Sequence, residues 1–418
     1  MRRNRLFCLS LVVLLLSACS GAPQAQAPTA APAQPTTAPQ AQAPTAAPAQ
    51  PTAAPAPAGT PTEDETKQGI QAALDLYAQA YNENKPELLK QAADQTNAKF
   101  RRFIQTRFDT FQESIRAGSV TFGYTVESIE PRDFGFVMAK VDAGGGVYDW
   151  SFRQVNGRWV MSEPTEDQLG KREKIADENF TFYVYPWSKV INEKLMDMMR
   201  QARATVQERL GKVPDQKADV YIRPIFGVGG IESPNALAYY DRSNRAGDRF
   251  VIYAPESYVF GAYDPAEGWE PNLESTLVHE YTHMTNNRSF TQIARMSDWM
   301  VEGLAEYVSD PTSAQRRSVP LAVRNDTIIP IVDTSGKVNK QDLEHLTILE
   351  KDVSLAYGLA ASLVDFIVQK HGGLDGWWKF VAAYDKAQKL DTALQQAFGL
   401  TYEQFDAEWR AWLQERYG

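Results

Sequence analysis

The 418-residue chain has two cysteines, Cys8 and Cys19, both within its first nineteen residues. Everything beyond Cys19 therefore lacks the means to form a disulfide or a thiolate metal site. Histidine is nearly as scarce, with four in the chain: His279, His283, His345 and His371. Long apolar runs are missing as well, since the longest, Leu6 to Leu16, is about half of what a membrane-spanning helix needs. Nor is there an excess of positive charge. Lys and Arg number 43 against 52 Asp and Glu, and the resulting charge of −9 argues against a nucleic-acid partner. Residues 20–62 hold no charged and no aromatic residue, so that stretch has nothing to bury. The chain as a whole is 43% hydrophobic and 11% aromatic, enough for cores, which excludes a wholly disordered protein. At roughly 100–200 residues per domain, the length suggests two folded domains.

The N-terminus has the layout of an export signal. Arg2, Arg3 and Arg5 form a basic region ahead of the apolar Leu6–Leu16. Removing residues 1–18 takes these three arginines away and shifts the formal charge from −9 to −12. Leu16-Ser17-Ala18-Cys19 resembles the lipobox of bacterial lipoproteins. That resemblance implies cleavage before Cys19 and acylation of its sulfur and new amine. The protein would then be extracytoplasmic, at the cell surface or in the periplasm, and lipid-anchored to a bacterial membrane that it does not span. An ordinary cleavable signal with an incidental cysteine is the alternative. Residues 19–63 read as a linker rich in Pro, Ala, Gln and Thr: 11 of the 24 prolines fall within 20–62, and the twelve residues from Ala25 recur from Ala41. Prolines at this density favour extended polyproline II. At about 3.1 Å per residue such a tether reaches on the order of 130 Å.

Residues 64–168 read as a small α+β domain. Ile70, Ala73, Leu74, Tyr77 and Tyr81 fall at helical spacing, a second helix begins near Pro86, and Phe100, Phe103, Ile104, Phe111 and Ile115 line a third. Strands are expected over Val120–Ile129, Phe134–Val141, Val147–Val155 and Arg158–Ser162, with Asn156-Gly157 as a hairpin turn. Helices followed by a meander ending in FRQVNGRWVMSEP resemble the nuclear transport factor 2-like (SnoaL-like) fold. That fold curls its sheet around a pocket used as an enzyme site, a ligand site or a contact surface. This stretch contains no histidine, and a spacer or recognition module is its plainer role.

Residues 172–418 form the second section, after a polar junction at Gly170 to Asp177. A strand (Phe180–Tyr185), a long helix (Val190–Leu210) and two strands (Asp219–Pro224, Arg249–Ala254) precede a tail that is helical after Pro271. The glycines 227, 229 and 230 lack the third glycine of a dinucleotide fingerprint and read as a loop. Within a helix at Leu273–Asn287 stands His279-Glu280-Tyr281-Thr282-His283, a match to H-E-x-x-H. Positions i and i+4 share a helix face, so both imidazoles can ligate one ion. Glu280, about 100° round the helix, can reach a water on that ion. Imidazole favours zinc, and without cysteine the site must be completed by oxygen.

Glu302 follows His283 after eighteen residues, inside Trp299-Met-Val-Glu302-Gly-Leu-Ala. This arrangement resembles the gluzincin metallopeptidases, most closely the peptidase MA-like group, distant relatives of aminopeptidase N. The tail, from Ala356-Tyr357-Gly-Leu to Glu408-Trp409-Arg-Ala-Trp412, resembles that group's helical C-terminal part. The resemblance implies a two-domain α+β chain whose zincin-type domain binds one Zn2+ through His279, His283 and Glu302. Glu280 would then be the general base for hydrolysis of a peptide or protein substrate. Glu306, four residues past Glu302, takes the place of the carboxylate that orients the first histidine, though an exposed helix carboxylate is the plainer reading. Tyr357 is the candidate oxyanion donor, with a structural core tyrosine as the alternative reading and Tyr307 and Tyr281 in reserve. The substrate strand at the sheet edge would be Arg249–Ala254. His345, in a polar stretch, and His371, beside Gly372-Gly373, read as bystanders. No G-x-M-E-N exopeptidase motif is present, which leans the expectation toward an endopeptidase. Two other functions fit the same residues: a binding lipoprotein with a vestigial site, and a zinc hydrolase of a non-peptide amide such as a cell-wall cross-link.

Overall fold

The computed structural model describes residues 61–111, 121–144, 146–225, 237–243, 247–258, 268–290, 296–312, 318–328 and 353–418. Cys19, the linker up to residue 60, the 227–230 glycines, Ile115 and His345 lie outside them. Among the described residues the fold is mixed α+β, with two separate sheets and a helical C-terminal part.

The first sheet belongs to the N-terminal section. Helix α1 (Glu63–Asn82) starts at a Thr62/Glu65 capping box and buries Ile70, Leu74, Tyr77 and Tyr81. A 3-10 turn at Pro86–Leu88 leads into the one-turn α2 (Leu89–Ala92), followed by α3 (Ala98–Thr110). Strands β1 (Thr125–Pro131), β2 (Phe136–Asp142), β3 (Val147–Val155) and β4 (Arg158–Met161) form an antiparallel meander in chain order. Asn156 and Gly157 both take positive φ (51° and 76°) between the paired Val155 and Arg158, as a type I′ turn requires. Tyr148, Trp150 and Phe152 face the core together.

Two strand starts in this sheet differ from expectation, each for a local reason. β1 begins at Thr125 rather than Val120 because the Asn82 side chain satisfies both the N–H (2.8 Å) and the C=O (2.7 Å) of Phe122. Phe122 and Tyr124 thus enter the core ahead of the first ladder pair, Thr125 with Asp142. β2 begins at Phe136 because Phe134 turns into the left-handed region at φ 59° and is 62% exposed.

The second sheet has the order β5-β6-β7-β9-β8. β6 (Phe180–Val184), β7 (Ala218–Arg223) and β9 (Gly247–Tyr253) run parallel, and α4 (Lys189–Leu210) makes the crossover from β6 to β7. Both outer strands are antiparallel, and neither is evident in the sequence. β5 (Glu173–Ala176) forms in what reads as a polar junction, with every residue exposed, as suits a charged edge. β8 (Ala238–Ser243) folds back on β9 across residues 244–246. The strand Arg249–Ala254 is therefore interior, and the edge facing the helices is β8. Its segment, AYYDRS, mixes tyrosine with charge and hides the alternation that marks a strand.

Helix α5 (Trp269–Ser289) lies on this sheet through Tyr281, whose ring stacks on Phe250 at 5.6 Å and meets Phe180 edge-on. Then come α6 (Asp298–Ser309), α7 (Ser318–Arg324), α8 (Val353–Lys370), α9 (Gly373–Ala387), α10 (Leu390–Phe398) and α11 (Tyr402–Tyr417). Gly303 brings α6 and α8 together, since a Cβ there would stand 2.4 Å from the Ala360 carbonyl oxygen.

The two sections meet where β9 ends. The Trp150 indole N–H donates to the Tyr258 carbonyl at 2.8 Å, and Phe136 packs edge-on against Trp187. The carboxylate of Glu256 sits in this seam and accepts from the Ser188 hydroxyl at 3.2 Å. Burial pushes its pKa up to about 7, against the pull of Arg132 and Ser188, while Asp149 adds to the rise. The fold thus keeps a proton on Glu256 that the unfolded chain releases near pH 4.5. The resulting stability is fully present below that pH and is lost as pH rises through about 7. Glu256→Gln, neutral at every pH, is expected to melt above the wild type at pH 8 and level with it near pH 5. An equal offset at both pH values in thermal unfolding would contradict this.

Candidate metal centre

Three side chains from two helices converge at one point. His279 and His283 stand one turn apart on α5, and Glu302 reaches them from the first half of α6. His279 Nε2 and His283 Nε2 are 3.0 Å apart, and Glu302 Oε2 is 3.3 Å from the first and 3.5 Å from the second. Among the described residues no other group of His, Cys, Asp and Glu offers three such atoms together. Zinc bonds of about 2.0–2.2 Å in tetrahedral array set ligand atoms roughly 3.3–3.5 Å apart. The observed triangle is one face of such a tetrahedron within a few tenths of an ångström, so two imidazoles and a carboxylate fit a divalent ion with one position left over.

The surroundings hold these atoms in place. Glu306, buried one turn beyond Glu302, has Oε1 3.4 Å from His279 Nδ1, leaving Nε2 to face the triangle. Burial works against a charged His279, but Glu302 and Glu306, one at each ring nitrogen, outweigh it and raise its pKa well above the ordinary value. Burial likewise works against an ionised Glu302, yet the two imidazoles overcome it and hold the carboxyl far below the usual range. Glu306→Ala is expected to weaken zinc binding about 10–100-fold while leaving the stoichiometry at one, checked by competition with a chromophoric chelator. An unchanged affinity would assign Glu306 to packing alone.

Glu280, offset by about 100° round the helix from His279, is not a corner of the triangle but lies close enough to feel all three of its residues. Its Oε2 accepts the backbone N–H of Tyr240, on β8, at 2.8 Å. Burial raises its pKa, and nearby Glu302 adds to this against the pull of His283, His279 and the Tyr240 N–H. Nothing in the sequence marks that donor, because it is main chain and its strand was hidden.

Tyr357 comes into the site from the first turns of α8. Its ring centre lies 6.4 Å from that of His279, which brings the hydroxyl into the field of the Glu302 carboxylate. Burial and the charges of Glu302, Glu306 and Glu280 push its pKa far up, so it stays a neutral donor. The other two tyrosines are elsewhere. Tyr281 is a core residue between α5 and the sheet, and Tyr307 lies near Asp365 and Arg416. His371 stacks on Phe398 with Glu408 at 3.6 Å, away from the triangle. The chain matches no protein-family model and no curated protein.

Proposed function

We propose that this chain is a zinc-dependent metallopeptidase of the gluzincin type, cleaving peptide bonds within a peptide or protein. The observation that carries the reading is the His279–His283–Glu302 triangle, with its zinc-sized edges and a carboxylate, Glu280, beside it that is not one of its corners. Zinc, when bound, supplies a Lewis acid that makes water nucleophilic near neutral pH and polarises a carbonyl. Glu280 then takes the proton of the attacking water and passes it to the leaving amine. Its raised pKa favours that exchange, because a carboxylate already reluctant to carry charge accepts a proton readily. Tyr357 donates from its neutral hydroxyl to the oxygen that gains charge as the carbonyl becomes tetrahedral. Glu306 keeps His279 in the tautomer that presents Nε2. The exposed edge for an extended substrate is β8, the strand lying against the active helix.

The nuclear transport factor 2-like reading of residues 64–168 is supported by the order of helices and meander, and its contact beyond the end of β9 is compatible with a spacer or a recognition module. Anchoring through an acylated Cys19 rests on the lipobox-like residues; among the described residues no helix is long and apolar enough to cross a membrane. The reading is tested by hydrolysis of an unstructured protein such as casein by the full chain. Activity that a chelator removes and one equivalent of zinc restores supports it. Hydrolysis that survives complete zinc removal overturns it.

A further inference from the structure

We infer that Asp248 is a positioning residue for Glu280, acting with Tyr240 and Arg288 to hold the β8 backbone against the active helix. This rests on the peptidase reading for its consequence in catalysis, though not for its geometry. Asp248, the second residue of β9, is 5% exposed and bonds in two directions. One carboxylate oxygen accepts the Tyr240 hydroxyl from β8, and the other accepts Arg288 Nε at 2.6 Å from the last turn of α5. Tyr240 pairs with Phe250, so Asp248 is its diagonal neighbour on the same face of the hairpin. That face carries a stack in which Tyr240 meets Phe250 at 5.2 Å and Phe250 lies flat on Tyr281 of α5.

The β8–β9 hairpin is thereby fixed to the helix at two places, one on each strand. At one end is the Asp248–Arg288 pair, and at the other the Tyr240 N–H on Glu280 Oε2, two helical turns earlier. Tyr240 belongs to both: its hydroxyl is tied to Asp248 while its amide holds the base. An oxygen of Glu280 held by a main-chain donor leaves the other free to face the water. Without the Asp248 bond, β8 keeps its ladder to β9 but loses its side-chain link through Asp248 to Arg288 of α5, and the Tyr240 amide is held against the carboxylate by its own hydrogen bond alone, free to drift from it. A displacement of about 1 Å at a catalytic group costs on the order of 100-fold in rate.

The test compares the full chain with Asp248→Asn and with Tyr240→Phe, the second keeping the aromatic stack and removing only the hydroxyl. Amide hydrogen exchange at Tyr240 is read directly, with Glu280→Ala marking the fully released amide. In both variants the Tyr240 amide is expected to exchange about tenfold faster or more, while ladder amides of β9 stay protected. With one zinc still bound, kcat should fall about 10–100-fold at unchanged KM. A Tyr240 amide as protected in both variants as in the wild type overturns the inference, as does an unchanged kcat. Absence of turnover in the wild-type chain would instead overturn the peptidase reading, and the exchange pattern would still decide the positioning.

Discussion

Glu280→Gln is expected to lower peptide turnover by about a thousandfold while the protein keeps one zinc per chain. Glutamine matches the shape of glutamate, and its side-chain carbonyl can still accept the Tyr240 N–H that Glu280 accepts at 2.8 Å. What it lacks is the ability to receive a proton and hand it on. Because Glu280 is not a corner of the triangle, metal affinity should be untouched. Initial rates on a fluorogenic peptide, beside zinc content measured on the same samples, separate the two effects. Loss of zinc in parallel with activity would mean that Glu280 is a ligand and that the geometry has been assigned wrongly.

His283→Ala has its largest effect on the metal. It removes one corner of the triangle and leaves His279 and Glu302, 3.3 Å apart, as a two-point site. Two ligands hold zinc far less tightly than three, and turnover should vanish with the ion. The loss is also visible without substrate. A ligand that binds only the folded state stabilises it by about 4 kcal/mol at a thousand times its Kd. Zinc should therefore raise the melting temperature of the wild type and leave that of His283→Ala almost unchanged. Equal zinc-induced stabilisation of the two proteins would sink the ligand assignment.

The candidate metal centre was legible in the sequence because its parts are local. His279, Glu280 and His283 lie within one turn and a half of one helix, and Glu302 and Glu306 occupy adjacent turns of the next. Helical periodicity alone puts them on the right faces. Asn156-Gly157 was equally plain, since few residue pairs accept two positive φ angles. The sheet edge was not legible. β8 carries Tyr239, Tyr240, Asp241 and Arg242 in succession, a mix that hides the strand although it pairs with its sequence neighbour β9. What β8 gives the site is a backbone N–H, which no side-chain pattern encodes. The same is true of the start of β1, where a helix side chain, Asn82, replaces the ladder. Tyr357 could be singled out by its distance from Glu302, but choosing it over Tyr281 and Tyr307 needed the close approach of α6 and α8 at Gly303.

The most direct measurement offers a mixed peptide library to the zinc-loaded full chain and identifies the new termini released. New amino termini inside the peptides, absent once a chelator has removed the ion, are the predicted result, and the residues flanking the cuts would describe the substrate preference. A chain that binds one zinc at His279, His283 and Glu302 and leaves every peptide intact would contradict the peptidase reading.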